Sequence, residues 1–393
     1  MASHVACNTP VPLLDVNRQN EPLQEEIQAA LAEVCASGAF VHGPACRQFE
    51  EAMAYYCGVR HAIGCASGSD ALLLALMALD IGPGDEVVLP SFTFFATASA
   101  VTRLGATPVF ADILPATLNI DPDDVIRKLS ARTKAILPVH LFGQCAEMDT
   151  ILHIAHQAGN IPVIEDAAQA IGAEFAGERA GSMGSIGCFS FYPTKNLGGF
   201  GDGGMLTTND DRLDSRLRIL RDHGQHPRYH HSLVGLNSRL DALQAAVLHV
   251  KIKRLDDWAK ARRANAERYI KDFSQIGLDA CLSLPEVASK CNSVWNQFTV
   301  RVANGQRDVL QQHLTEQQIG SAVYYPIPLH LQECFSFLGY QSGSLPITEQ
   351  ASQQVLSLPI YGELTQAEQN RVINALAEFF GIATAVSSDQ CAA

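Results

Sequence analysis

Lys195 stands between an apolar run, "FSFYP", and glycines at 198, 199, 201, 203 and 204. A primary amine becomes a nucleophile once desolvating or cationic surroundings lower its pKa, and it then attacks a carbonyl carbon to give a Schiff base. The glycines imply that something approaches the backbone closely. A second reactive group, Asp166, ends the apolar segment "IPVIED". A carboxylate directly after a strand can hold a protonated ring nitrogen, act as a base, bind a metal or cap a following helix. The third feature is "CASGSDALLLAL" at 65–76. Gly68 lets the backbone come close, while Ser69 and the first amides of a helix can bind phosphate at the positive end of the helix dipole. Ser190, five residues before Lys195, offers another hydroxyl. An amine, an acid and an anion site are the three groups that pyridoxal 5'-phosphate (PLP) requires.

These residues need elements to position them. Short apolar segments alternate with helical patterns: "HAIGCA" then "DALLLALMALD", "EVVLP" then "FATASAVTRLG", "KAILPVH" then "EMDTILHIAHQAG". Such alternation predicts an α/β fold with a mostly parallel sheet between helices, where ligands bind beyond the carboxyl ends of the strands. Around Asn237 the texture changes, because Leu240, Leu243, Val247 and Val250 recur at helical spacing and lead into a polar helix running to about Phe273. Beyond it, "NQFTVRV" reads as a strand, with "QRDVLQQHLTEQQIG" and "TQAEQNRVINALAEFFG" as helices. The expected division is a large domain over 1–250, with the N-terminal segment packing on it. Residues 251–393 then supply the connecting helix and a smaller C-terminal α/β domain. The last ten residues read as a frayed end.

Charge and composition exclude several other functions. Twenty-eight Lys plus Arg against 41 Asp plus Glu give a net charge of −13, which opposes binding to nucleic acid or an anionic membrane. The longest apolar runs fall far short of a bilayer span, and "MASHVACNTP" has no signal-peptide core, so a cytoplasmic location is expected. The eleven cysteines are scattered without a C-x-x-C pair, which suggests neither a disulfide framework nor a zinc site. "DHGQHPRYHH" holds four histidines, but its spacing gives no helical ligand pair and Pro227 interrupts it. Gly199, Gly201 and Gly204 fit G-x-G-x-x-G, yet "MLTTND" follows as a strand where the dinucleotide fingerprint needs a helix.

Five stretches, "ASGSDAL", "PSFTFFATASAV", "PVIEDAAQAIGA", "FSFYPTKNLGGFGDGGMLTTND" and "GLNSRLDALQAAVL", resemble the DegT/DnrJ/EryC1/StrS nucleotide-sugar aminotransferases, a branch of the fold-type-I PLP transferases. The resemblance runs from "VPLLDVNRQ" through "YYPIPLHLQ" to "VLSLPIYGEL". It implies that Lys195 carries PLP, Asp166 pairs with the pyridine N–H, and Gln169, on the same helix face, contacts the ring hydroxyl. By the same resemblance Phe94 stacks on the ring, and Gly68, Ser69 and Ser190 hold the phosphate. Asn237 resembles the residue that reaches the phosphate of a neighbouring subunit, which implies a homodimer with shared active sites, and Arg239 would then face the sugar nucleotide. Tyr324 and Tyr325 stand at the sugar contact, where several relatives have His-Tyr. By residue type alone, Phe94 also reads as a core aromatic and Gln169 as a solvated helix residue.

The implied reaction moves an amino group from L-glutamate to a keto sugar of a UDP- or dTDP-linked hexose, with C-3 favoured, for cell-surface polysaccharide or amino-sugar biosynthesis. Sugar dehydratases of the same fold often carry histidine where Lys195 stands, so the lysine favours transamination. A non-catalytic DegT-type regulatory protein is the remaining reading. The charge and the complete set of cofactor residues oppose it.

Overall fold

A computed structural model describes residues 9–383. Cys7, Cys391 and the C-terminal run expected to fray lie outside them. The large sheet has seven strands in the spatial order His61–Cys65, Gly204–Thr208, Ile186–Ser190, Ile164–Asp166, Thr133–Ile136, Glu86–Pro90, Thr107–Ala111. Its two halves meet through the parallel bridges Ile136 to Val163 and Val139 to Asp166. Every strand runs in one direction except Gly204–Thr208, which is antiparallel to both neighbours. The strands are short and largely apolar because both faces are covered. Successive residues enter opposite cores: Phe189 and Met205 pack against the helices Pro44–Cys57 and Ala242–Lys251, while Cys188 and Leu206 pack against Gly68–Ala78 and Asp211–Leu220.

The C-terminal part has its own core. An antiparallel sheet of Leu282–Ser283, Phe298–Val302 and Val355–Leu358 packs with the helices Leu255–Ile276, Arg307–Glu316 and Gln366–Phe379 around Tyr269, Phe298, Leu314 and Ile373. Val11 joins this core through a bridge to Ile319, while Leu23 and Ile27 pack on Val247 and Val250. The N-terminal segment thus touches both units. The long helix expected from Leu240 to Phe273 is broken into Ala242–Lys251 and Leu255–Ile276 by a 3-10 turn at Ile252–Arg254. Among the described residues no helix is long and apolar enough to cross a membrane.

No helix follows Asp166, contrary to expectation: residues 167–170 form a turn. Asp166 Oδ1 takes the Ala168 amide at 3.2 Å, a local bond that competes with helix, and Gly172 has a left-handed φ of 84°. Both the cap reading of Asp166 and the shared-helix-face argument for Gln169 therefore fall.

One buried acid organises the loop that comes after this turn. Glu165 is fully buried and accepts the amides of Gly181 at 2.8 Å, Met183 at 2.9 Å and Gly184 at 2.6 Å. It also accepts His140 Nε2 at 2.9 Å. Because Ala146 donates to His140 Nδ1 at 3.1 Å, the imidazole proton sits on Nε2. Glu165→Ala should leave three amides, that of Gly181 buried and those of Met183 and Gly184 part-buried, without their acceptor and lose about 3 kcal/mol of stability, read by urea denaturation. Wild-type stability would refute this account of the loop.

Candidate active site

The polar residues singled out in the sequence gather at the carboxyl ends of the parallel strands. Asp166 ends the central strand with its side chain buried. Its Oδ2 accepts the Thr97 hydroxyl at 2.8 Å, and Thr93 Oγ1 lies 3.1 Å from Thr97 Oγ1. Thr97 sits in the first turn of the helix Phe95–Arg103. Burial raises the Asp166 carboxyl above its ordinary range, against the opposing bonds from Thr97 and Ala168. Asp166 makes no ion pair among the described residues, so its charge lacks a cationic neighbour in contact.

Lys195 is held over the same space by a turn in which its amide donates to Tyr192 O at 2.8 Å. Protein packed around the half-buried side chain pushes the amine down to about 8, and the Asp166 charge pulls the other way. At that value about a tenth of the amine is neutral at pH 7, against roughly one part in three thousand for an ordinary lysine.

At one side of the space, the helix Gly68–Ala78 begins with Ser67 as its cap, whose hydroxyl accepts the Asp70 amide at 3.1 Å. The Gly68 and Ser69 amides occupy the first turn, where no intrahelical acceptor exists. A Cβ on Gly68 would lie 2.6 Å from Ser190 Cβ. The Ser190 hydroxyl therefore stands directly against the helix start, and Ser69 is exposed beside it. Only a residue without a side chain permits this cup.

On the other side, Gln169 is buried, accepting the Phe142 amide at 2.7 Å and donating to the Tyr325 hydroxyl at 3.0 Å. This excludes the solvated reading of Gln169. Tyr325 lies 6.3 Å from Phe94 and 5.9 Å from Tyr324, ring centre to ring centre. Phe94 is 57% exposed at the mouth of the space, so it is not a core aromatic.

Asn237 and Arg239 make no direct contact with Lys195 or Asp166 among the described residues. Asn237 is exposed, and Arg239 pairs with Asp222 at 2.7 Å. The buried Ser238 between them donates to Asp70 Oδ2 at 2.8 Å and accepts the Ala66 amide at 3.2 Å, which ties the segment to the helix that begins at Gly68.

The glycines after Lys195 serve a different purpose from the one expected. A Cβ on Gly198 would lie 2.2 Å from Pro193 O, one on Gly199 2.9 Å from Gln244 Oε1, and one on Gly204 2.3 Å from Ser67 O. The backbone is approached by the protein itself. Thr97, Gln244 and Lys251 were missed in the sequence. A lysine four residues after Val247 on a largely buried helix was the available signal for Lys251.

Residues 21–377 match the profile of the DegT/DnrJ/EryC1/StrS aminotransferase family. The chain is 47% identical to a pleiotropic regulatory protein of Geobacillus stearothermophilus, covering 94% of this chain and 98% of that protein. It is 43% identical to the UDP-N-acetyl-3-dehydro-alpha-D-glucosamine 3-aminotransferase of Acidithiobacillus ferrooxidans, over 93% and 96% of the two chains. Among solved structures it is similar to S. venezuelae DesV in complex with a ketimine intermediate, with a TM-score of 0.90, 43% identity and coverage of 94% and 98%.

The environment of Lys195 sets its titration. In the apoprotein, reactivity of Lys195 toward an amine-directed acylating reagent, read residue by residue by mass spectrometry, should rise with pH and reach half-maximum near pH 8. The neutral amine is the form that reacts. Asp166→Asn should move the midpoint lower, since the carboxylate charge favours the protonated amine. A midpoint near 10.5, the ordinary lysine value, would contradict this reading.

Proposed function

The chain belongs to the DegT/DnrJ/EryC1/StrS aminotransferase family, and from that premise we propose that it moves an amino group from L-glutamate to C-3 of a keto hexose linked to UDP or dTDP. It is a PLP-dependent sugar aminotransferase. The observation that carries the reading is Asp166: a buried carboxylate without an ion pair, held by Thr97 and set in one space with a lysine of depressed pKa.

The residues fit PLP. Asp166 offers the charge that a protonated ring nitrogen needs, and the Gly68 cup, which a Cβ would fill, offers amides and the Ser190 hydroxyl to a phosphate. When bound, PLP supplies a carbonyl for the lysine and a ring that accepts electrons. Asp166 would keep a proton on the ring nitrogen, with Thr97 fixing the carboxylate's orientation. Gln169 would meet the ring hydroxyl, and Phe94, exposed at the mouth of the space, would pack on the ring. Lys195 Nζ would take the proton from the donor's α-carbon and hold it as an ammonium, a task suited to an amine titrating near 8. Tyr324 and Tyr325 line the sugar side.

The relative from Acidithiobacillus acts, by its name, on a UDP-linked 3-keto sugar, which supports C-3. The relative from Geobacillus is named for regulation. A purely regulatory role would leave the Asp166 and Lys195 arrangement without a use.

The same reading includes a homodimer. Phe40, Val41, Phe200 and Val234 are exposed, Val234 at 91%. Several of them adjoin the segment carrying Asn237 and Arg239: Ala242 donates to Phe40 O, Val41 bridges to Asp241, and Phe200 bonds to Gln244. An apolar rim around these polar residues suits a second copy, which would receive Asn237 at its phosphate and Arg239 at its sugar nucleotide.

Two experiments follow. Purified protein given PLP, L-glutamate and a panel of UDP- and dTDP-keto sugars should yield a 3-amino sugar nucleotide by mass spectrometry, and Lys195→Ala should abolish both the product and borohydride-reducible attachment of PLP. Borohydride fixing PLP to another lysine would sink the assignment. Separately, mixing inactive Lys195→Ala and Arg239→Ala chains should restore activity at one site of each heterodimer, because that site receives both intact residues. Verified heterodimers without recovery would place Arg239 within its own subunit's site.

A further inference from the structure

Helix Ala242–Lys251 turns two polar side chains toward the loop that carries Lys195. Gln244 and Lys251 are seven residues apart, two turns along one face. Gln244 Oε1 accepts the Phe200 amide at 2.8 Å, and Lys251 Nζ donates to Gly198 O at 2.6 Å. One helix thus satisfies a donor and an acceptor on peptide groups three and five residues past Lys195. The fit is close: Cβ atoms on Gly199 and Gly201 would lie 2.9 Å and 3.1 Å from the Gln244 amide and would push it aside.

Lys251 is an expensive choice for this position. Its side chain is 1% exposed, and no carboxylate pairs with it among the described residues. The Phe200 and Trp258 rings, each 5.9 Å from Nζ, and the Gly198 carbonyl are its surroundings. Burial pushes the amine down to about 8, with the Glu363 charge opposing as the smaller effect. A leucine or methionine would satisfy the neighbouring apolar core without that desolvation. What the apolar residues cannot do is hold the Gly198 carbonyl.

We infer that Gln244 and Lys251 are positioning residues for the Lys195 loop, a two-point clamp through which the helix, and not the bound cofactor, fixes the path of residues 196–201. The catalytic consequence rests on Lys195 being the cofactor lysine, whereas the loop-holding role does not.

Hydrogen exchange on the apoprotein and holoenzyme, followed by mass spectrometry, tests both. In Lys251→Met the amides of 196–201 should exchange about tenfold faster or more, with the rest of the chain unchanged. The thermal midpoint should hold or rise, because an unpaired buried amine has been replaced by an apolar side chain. The kcat should fall by about tenfold or more with the KM for the amino donor little changed, the pattern of a lost transition-state alignment. Lys251→Arg and Gln244→Glu keep the donor and the acceptor, and should recover most of the protection. Wild-type exchange at 196–201 in Lys251→Met, or a uniform rise across the chain with a lower midpoint, overturns the clamp. If Lys251→Met does not fold, Gln244→Ala, at a half-buried position, decides by the same measurements. Failure of the lysine assignment is a separate result: borohydride would fix PLP elsewhere while loop exchange still rose.

Discussion

A carboxylate kept from water without a cation beside it is the constraint on which the rest of this site depends. Removing an ionised carboxylate from water costs several kcal/mol unless something compensates, and among the described residues Asp166 receives only the Thr97 hydroxyl and the Ala168 amide. Its neighbour Glu165 meets the same problem on the opposite face of the strand with three amides and an imidazole N–H. One acid is saturated and serves the scaffold. The other is left short of partners, which is the environment the proposed ligand with a positive ring nitrogen would call for. Alternation along a single strand separates the two uses.

This contrast also explains why much of the site was legible in the sequence. Lys195 and Asp166 each follow an apolar strand, and the repeated strand and helix patterns from His61 to Thr208 place both at the same sheet edge. The helix start at Gly68 announces itself by a small-residue cap before a long apolar run. These signals are local, and local signals survive in one dimension.

What stayed illegible depends on contacts between distant residues. Thr97 reaches Asp166 from 69 residues away in the chain, and nothing around it distinguishes it from other helix-start threonines. The turn after Asp166 is hidden in the sequence because "AAQA" is equally compatible with a helix. The acid's bond to Ala168 and the left-handed Gly172 decided otherwise. The 3-10 break at Ile252–Arg254 leaves the apolar periodicity almost intact, so periodicity could not reveal it. Glycine is ambiguous for a related reason: its presence says that something is close, and only three dimensions say what.

The single antiparallel strand, Gly204–Thr208, has a bearing on how such an enzyme can diversify. Gly204 pairs with Ser190 on one side and Cys65 on the other, and Phe191 donates to Gly203 O at 2.8 Å. Residues 191–203 therefore form a hairpin whose two ends are locked beside the helix that starts at Gly68. An inserted residue would have to be absorbed within that closed span, displacing the amine relative to the acid. The segment around Tyr229 and Val234 is also a closed turn, bridged between Gln225 and His231, but its tip is exposed and it carries neither the amine nor the acid. Sequence drift is thereby channelled away from the chemistry and into the rim, so that a lineage can exchange one sugar for another without rebuilding the apparatus that moves nitrogen.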